Sequence, residues 1–201
     1  MNEPTKKGFT GLRAIFFHIH LNEVKKFLPM GIMMFFILFN YNILRDTKDT
    51  LDVNAAGAEA LSLLTLFGTV PTAIVILLIF SKLSTIFSRE KFFYITLIPF
   101  ILFFSLFAYV IYTNRELLHP SQAWITDLTA EFPRLKTTLA VFSSWSYGLF
   151  YVLSELWGSV ILSLLFWQFA NEIVGFDEAK RFYSLFGLMA VKIVTILSWD
   201  T

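Results

Sequence analysis

Five long apolar segments limit what this sequence can fold into. They cover residues 27–44, 61–80, 92–112, 139–169 and 182–199. Each is about as long as, or longer than, the roughly 20 residues that an α-helix needs to cross the hydrocarbon core of a bilayer. Only 15% of the residues are charged, whereas soluble domains carry about 25%. Because so few charged side chains cannot cover five buried helices, the sequence predicts an all-α integral membrane protein.

The fourth apolar segment is longer than one span requires. It is expected to form either a tilted helix that protrudes from the bilayer or a helix with a break near Gly148 or Gly158. The longest polar loop, residues 113–138, precedes it and is expected to hold a short helix around residues 121–130. Beyond the fourth segment, Asp177 is a candidate N-cap for the fifth helix.

The distribution of Lys and Arg predicts how the spans are oriented. Ten of the 16 basic residues lie on the side of the N-terminus, five lie on the opposite side, and Lys192 falls within the last segment. Cytoplasmic loops carry the excess of basic residues, so the N-terminus is expected in the cytoplasm. Residues 1–26 are expected to form a cytoplasmic lead-in at the membrane interface. Residues 27–201 would then form a partial N-terminal transmembrane bundle.

Composition excludes several classes of function. The net charge of +1 offers no basic surface for nucleic acid, and the absence of cysteine removes disulfides and thiolate sites. The sequence has no glycine-rich phosphate loop and no pattern typical of a zinc protease or a serine hydrolase. We therefore expect neither an enzyme nor a metal or cofactor site.

The stretch NYNILRDTKDTL, residues 40–51, places charges directly after the first apolar segment, where they need a partner, water or a function. If the helix continues past Leu44, then Arg45, Lys48 and Asp49 share a face. Carboxylates beside cations would keep them ordered and ionised until a phosphate or another anion displaces them. The alternative interpretation is a turn outside the membrane whose charges face water. The candidate binding residues in this stretch are Tyr41, Asn42, Arg45, Asp46, Lys48 and Asp49.

A second candidate residue, Glu155, lies deep in the fourth apolar segment, which contains no Lys or Arg. Because an unpaired carboxylate in hydrocarbon is costly, we expect it to pair with Arg45, Lys48 or a base outside this sequence. Alternatively, Glu155 only holds neighbouring helices together. Lys180 and Arg181 open the fifth helix, where cations oppose the helix dipole; they are candidates for holding an anion, or they act as ordinary cytoplasmic anchors. Cations at both ends of the predicted transmembrane path, with a carboxylate midway along it, favour transport of an anion.

Three stretches carry a resemblance to a known family. Taken together, FNYNILRDTKDTL, VLSELWGSVILSLLFWQFAN and DEAKRFYSLFG resemble the non-mitochondrial ATP/ADP translocases of obligate intracellular bacteria and plastids. The similarity extends over roughly residues 11–188. It implies a major-facilitator-like fold of about twelve spans in two halves, with ATP and ADP as substrates and no cofactor. The Lys and the Glu that matter for transport in that family match Lys48 and Glu155.

The length of 201 residues leads us to expect an incomplete N-terminal half of such a carrier. Because these carriers bind substrate between two halves, transport would need the missing C-terminal half or association of two copies. We expect a multi-pass protein of the bacterial inner membrane that imports host ATP in exchange for ADP. The alternatives are a nucleotide–proton symporter, a carrier of NAD or another nucleotide, and an inactive fragment inserted in the membrane.

Overall fold

The computed structural model describes residues 23–197. For some residues of its last helix, including Asp177, Lys180 and Arg181, the description extends to the backbone only. Most of the predicted interfacial lead-in, residues 1–26, lies outside the described residues. The described part of the chain consists of helices and connecting turns and contains no strand, which confirms the predicted all-α class.

The helices follow one another with short connections. In chain order they are α1 (Val24–Ala56), α2 (Ala58–Ile86), α3 (Arg89–Ile111), α4 (Arg115–Leu118), α5 (Gln122–Glu131), α6 (Lys136–Ser143), α7 (Trp145–Ile173) and α8 (Phe176–Leu197). Within the described range, α1, α2, α3 and α7 are the four helices long and apolar enough to cross a membrane. The first four predicted spans fall largely within these helices. The described part of the fifth lies in α8, and the passage of each span through the membrane stays a prediction.

The first span continues as a helix through the charged stretch, which meets the condition for the shared face of Arg45, Lys48 and Asp49. No Pro or Gly occurs between Leu44 and Ala56, so nothing in this stretch interrupts the hydrogen-bonded turns. Gly57 separates α1 from α2 and has a φ of +84°, a conformation that glycine adopts without the steric cost other residues incur. The charged residues at positions 45–49 therefore lie on one continuous helix.

Of the two alternatives for the fourth apolar segment, the structure shows a helix with a break, which occurs at Ser144, between α6 and α7. The hydroxyls of Ser143 and Ser144 both donate to the carbonyl oxygen of Ala140, at 2.7 and 3.0 Å. Such side-chain bonds compete with the helical hydrogen bonds. The break therefore falls a turn before Gly148. A second irregularity, a π-helical stretch at Trp157–Phe166, includes Gly158.

The polar connection between α3 and α7 contains the predicted short helix. It forms as α5, and the Ser121 side chain caps it by accepting a hydrogen bond from the Trp124 backbone N–H. A 3₁₀ turn at Pro133–Leu135 then leads into α6. The helix predicted around residues 121–130 is confirmed.

The described residues divide into two units, residues 23–38 with 167–197 and residues 39–166. In the first unit, Phe27 of α1 stacks on Phe186 of α8 with ring centroids 5.2 Å apart. Lys26 also forms an ion pair with Glu178 of α8 at 3.2 Å. The start of α1 and α8 are therefore held together by aromatic packing and by charge.

The second unit is organised around α7. A Cβ atom on Gly68 of α2 would lie 2.7 Å from a Val152 methyl group, and one on Gly148 of α7 would lie 2.9 Å from Leu64. Glycine on each helix thus permits close approach of α2 and α7, as is typical of membrane helices. On its other side α7 packs against α3, where the centroids of the Phe107 and Phe150 rings lie 4.4 Å apart. These contacts fix the helix that carries Glu155.

Candidate binding site around Lys48

Lys48 points into the second unit and is almost completely buried, with 4% of its surface exposed. Its Nζ atom lies 2.9 Å from Oε1 of Glu155 on α7 and 2.5 Å from Oδ1 of the neighbouring Asp49. The Nζ atom also lies 4.2 Å from the centre of the Tyr151 ring. Two carboxylates and one aromatic face therefore surround the ammonium group, and together they compensate the cost of burying it.

Three helices contribute to this arrangement. Lys48 and Asp49 come from α1, whereas Tyr151 and Glu155 lie one turn apart on α7. The Tyr151 hydroxyl shares a hydrogen bond with the Thr65 hydroxyl of α2 at 3.0 Å. This hydrogen bond orients the Tyr151 ring, whose face lies toward the ammonium group.

The cluster is closed around the cation but open at its carboxylates. The side chain of Glu155 is 37% exposed and that of Asp49 is 44% exposed, while that of Lys48 is 5% exposed. An anion that approaches from the open side meets the carboxylates first, and it reaches the ammonium group only by replacing one of them. The geometry is therefore that of a cation with displaceable partners, which suits binding and release better than permanent pairing.

Tyr41 precedes Lys48 by about two turns of α1, and its ring packs against the backbone of α7. A Cβ atom on Gly158 would lie 2.6 Å from Cε2 of the Tyr41 ring, so the ring occupies the space that any side chain at this position would need. Gly158 belongs to the π-helical stretch Trp157–Phe166. Such turns inside α-helices occur frequently at functional sites.

Asp52 is a buried carboxyl that the sequence analysis did not single out. It is 1% exposed and follows Lys48 by one helical turn. Its Oδ2 atom has no hydrogen-bond partner among the described residues, and the same holds for the buried Ser154 hydroxyl of α7. The i, i+4 spacing to Lys48 was the signal that could have revealed it.

The structure brings some predicted site residues together and separates others. Lys48, Asp49 and Glu155 form one cluster, so the predicted pairing of Glu155 with a cation of the first span is confirmed. Arg45 and Asp46 are exposed on α1, and Arg45 therefore does not share the buried environment of Lys48. The remaining predicted residues are Tyr41, packed against α7; Asn42, 7% exposed on α1; and Lys180 and Arg181, whose side chains lie outside the described residues.

Comparison with known families identifies the chain. The family model described as TLC ATP/ADP transporter matches residues 2–198. The chain belongs to the TLC ATP/ADP transporter family. The resemblance drawn from its three stretches is confirmed, and membership of a transporter family together with the long apolar helices identifies a multi-pass membrane protein.

Named relatives of this TLC family chain come from Chlamydia and Rickettsia species. It is 51% identical over 193 residues to ADP,ATP carrier protein 1 of Chlamydia muridarum, covering 94% of this chain and 36% of the relative. It is 46% identical to ADP,ATP carrier protein 1 of Rickettsia bellii over 89% of this chain and 36% of the relative. ADP,ATP carrier protein 3 of Rickettsia prowazekii is 43% identical over 92% of this chain and 37% of the relative.

The chain spans little more than a third of the length of the relatives it matches. No solved structure matches it. The predicted major-facilitator-like arrangement of the spans accordingly stays a prediction.

Proposed function

We propose that this chain forms part of a secondary carrier that imports ATP in exchange for ADP. Its family and the names of its relatives support this substrate pair. The structural observation that carries the proposal is the Lys48 ammonium group, held between Glu155 and Asp49. A polyphosphate needs a cation that is ordered before binding and that can change partners during binding, and Lys48 meets both requirements.

The mechanism follows from the competition for Lys48. Without nucleotide, α1 is connected to α7 by the ion pair between Lys48 and Glu155, whose Nζ and Oε1 atoms lie 2.9 Å apart. A phosphate oxygen that replaces Glu155 would form a charge-assisted hydrogen bond, of the kind worth about 1.5–3 kcal/mol, and would release α7 from α1. The empty site is then locked and the occupied site is free to change conformation. A carrier that can reorient only when occupied performs exchange rather than net uptake.

The other predicted binding residues have supporting positions in this proposal. The exposed Arg45 would attract nucleotide toward the site, and Asp46, one residue further along α1, would keep it ordered. The buried Asn42 and the Tyr41 ring would line the path beside Lys48. Lys180 and Arg181 stay candidates for holding the nucleotide at a further point of its path.

We propose that the protein lies in the inner membrane of a bacterium, since its named relatives are bacterial, and that its N-terminus is in the cytoplasm, as the distribution of basic residues favours. Carriers of this kind bind substrate between two halves. The second wall of the cavity would come from the further sequence that the longer relatives possess, or from a second copy of this chain.

A nucleotide–proton symporter is the second candidate, and Asp52 is the observation that favours it. Carboxyl groups buried in membrane helices commonly act as proton relays. Asp52 is 1% exposed and has an oxygen without a partner among the described residues. Dependence of ATP uptake on a proton gradient, without any need for internal ADP, would support symport over exchange.

The proposal is tested by uptake of radiolabelled ATP into liposomes that contain the chain, with and without ADP inside. We expect uptake only with internal ADP, and we expect Lys48→Ala to abolish it because the cation that binds phosphate is removed. The matched control is Lys82→Ala, which removes an exposed lysine of α2 outside the cluster. Equal uptake by both variants at equal incorporation would refute the role of Lys48.

If the chain alone takes up no ATP, the same comparison is made after co-expression with the C-terminal two thirds of the Chlamydia muridarum relative. Recovered uptake that depends on internal ADP and on Lys48 supports the proposal. Absence of uptake with both polypeptides in the membrane contradicts it.

A further inference from the structure

A cavity of about 450 Å³ lies in the second unit beyond the Lys48 cluster, between the end of α1, the connection that follows α3, and the break between α6 and α7. Its volume falls within the range of about 300–1,000 Å³ that is common for small-molecule sites. The polar side chains that line it include Asn54, Arg115, His119, Gln122, Ser144 and Tyr147. None of these residues belongs to the site described above.

The wall of this cavity is held in place by specific bonds. His119 Nε2 lies 2.7 Å from the hydroxyl of Ser146, a residue with no exposed surface. The His119 ring also meets the Tyr147 ring edge-on, with centroids 5.1 Å apart. One residue before His119, the carbonyl oxygen of Leu118 accepts a hydrogen bond from the Trp145 indole N–H at 3.1 Å. The connection after α3 is thereby tied to the start of α7, so the cavity has a defined shape.

Arg115 provides the cavity with an oriented cation. Its Nη1 donates to the carbonyl oxygen of Tyr112 at 3.0 Å, and its guanidinium carbon lies 4.8 Å from the centre of the Tyr112 ring. These contacts fix the plane of the guanidinium group, whose fork of N–H groups matches phosphate oxygens. The amide of Gln122 and the hydroxyl of Tyr147 add neutral donors to the lining.

Glu116 also lines the cavity and opposes an anion there. Its side chain is exposed, so water screens much of its charge. The cavity thus combines one fixed cation with several neutral donors and one screened carboxylate. Such a site would bind a polyphosphate weakly and release it readily. A site of this strength would suit capture of a nucleotide but would retain it poorly.

We infer that this cavity is a second anion site, which captures the polyphosphate of a nucleotide before it reaches Lys48. The inference rests on the proposed nucleotide transport and on the predicted orientation. Asn54 follows Lys48 by six residues on α1, which is about 9 Å along a helix axis and toward its predicted outer end. A nucleotide that enters from outside would therefore meet Arg115 first and Lys48 second.

The test is equilibrium binding of tripolyphosphate to the purified 201-residue chain in lipid nanodiscs. The background variant is Lys48→Met/Glu155→Gln, which removes both charges of the inner ion pair and leaves the outer cavity intact. We expect this background to retain tripolyphosphate binding. Adding Arg115→Gln should weaken that binding at least about tenfold, because a charge-assisted fork contact is lost. The control Arg134→Gln, in the exposed 3₁₀ turn outside the cavity, should leave it unchanged.

Glu116→Gln provides a test that misfolding cannot imitate, because it should tighten tripolyphosphate binding. We expect a change of about threefold, in line with the small energies of exposed charge pairs. Adenosine without phosphates should not bind to the background variant. The inference is overturned if the background variant binds no tripolyphosphate, if Arg115→Gln and Glu116→Gln bind as their parent does, or if adenosine binds equally well. Retained tripolyphosphate binding, together with absent ATP uptake even after co-expression with the C-terminal two thirds of the Chlamydia muridarum relative, would uphold this anion site and count against the proposed transport.

Discussion

Lys48 combines two properties that rarely occur in one lysine: it is buried, and its partners are accessible. Removing one partner from a buried ion pair usually destabilises a protein because a charge remains uncompensated. Here Asp49 also contacts the ammonium group, so displacement of Glu155 would leave Lys48 with one carboxylate partner. The site therefore tolerates exchange of one partner without leaving the lysine alone.

The first residue-scale prediction concerns Glu155. Glu155→Gln keeps a carbonyl oxygen near Lys48 but removes the negative charge, so the lysine becomes more available to phosphate. We expect ATP binding to persist or tighten while exchange falls at least about tenfold, because the ion pair that re-forms at the empty site is lost. Equilibrium ATP binding and liposome uptake measure the two effects. Glu131→Gln, at the exposed end of α5, is the control, and uptake by Glu155→Gln at the parent rate would contradict the expectation.

The second residue-scale prediction concerns His119, which lies in the connection outside the membrane spans. Burial, reinforced by the nearby Arg115 guanidinium, lowers the pKa of His119 below its ordinary value of 6.5. The unfolded chain then binds this proton more readily than the folded chain, so stability falls as the pH drops below about 6.5. The groups facing the ring are Arg115, Ser146, Trp145 and Tyr147, and Glu116 shares the same cavity.

The measurement is the thermal unfolding midpoint between pH 7.5 and pH 5 in a mild detergent. His119→Gln keeps a group that can bond the Ser146 hydroxyl and does not titrate, so its midpoint should fall less with pH than that of the parent. Parallel pH profiles for the two proteins would show that His119 does not contribute to the acid sensitivity.

At the scale of the helices, the glycines of α7 determine how closely its neighbours approach. Gly158→Ala would bring a methyl group to within 2.6 Å of the Tyr41 ring. We expect a loss of about 1–3 kcal/mol of stability, as is common when a packed contact is overfilled, together with reduced ATP uptake because α1 moves away from Glu155. Gly187→Ala in α8, where a Cβ atom would meet nothing within 4 Å, is the matched control.

A double variant separates strain from other causes in this test. If the clash with the ring is the reason, Tyr41→Ala should relieve most of the stability loss of Gly158→Ala, and thermal unfolding of the four proteins in the cycle would show it. Strictly additive losses would indicate that the two positions are not coupled.

The sequence predicts those helical features that depend on apolar composition and on the positions of helix-breaking residues. The continuation of α1 past Leu44 was predictable because no residue before Gly57 interrupts it, and the partner of Glu155 was predictable because a carboxylate in an apolar segment needs a cation. The position of the break at Ser144 was not predictable, since it depends on two hydroxyls that donate to the same carbonyl oxygen. The burial of Asp52 also depends on packing between helices, which the local pattern around it does not encode.

At the scale of the whole molecule, the predicted orientation places the α2–α3 connection in the cytoplasm and the α3–α4 connection outside. The sequence contains no cysteine, so single cysteines introduce unique labels. We expect a membrane-impermeant maleimide added to the periplasmic side to label Thr113→Cys but not Ser88→Cys, because both positions are exposed and lie at opposite ends of α3. The reverse pattern would overturn the orientation, and disruption of the membrane should make both positions reactive.

The length of α2 and the small buried share of its apolar surface have a consequence for the surrounding lipid. It contains 29 residues, and only 6% of its most apolar stretch is buried by the chain, compared with 61% for α7. A helix of this length extends about 43 Å, well beyond the roughly 30 Å of an average hydrocarbon layer, and such a mismatch is relieved by tilting. Because α2 anchors Tyr151 through Thr65, its tilt would be transmitted to the aromatic face beneath Lys48, and the acyl-chain length of the host bilayer becomes a variable that tunes the site.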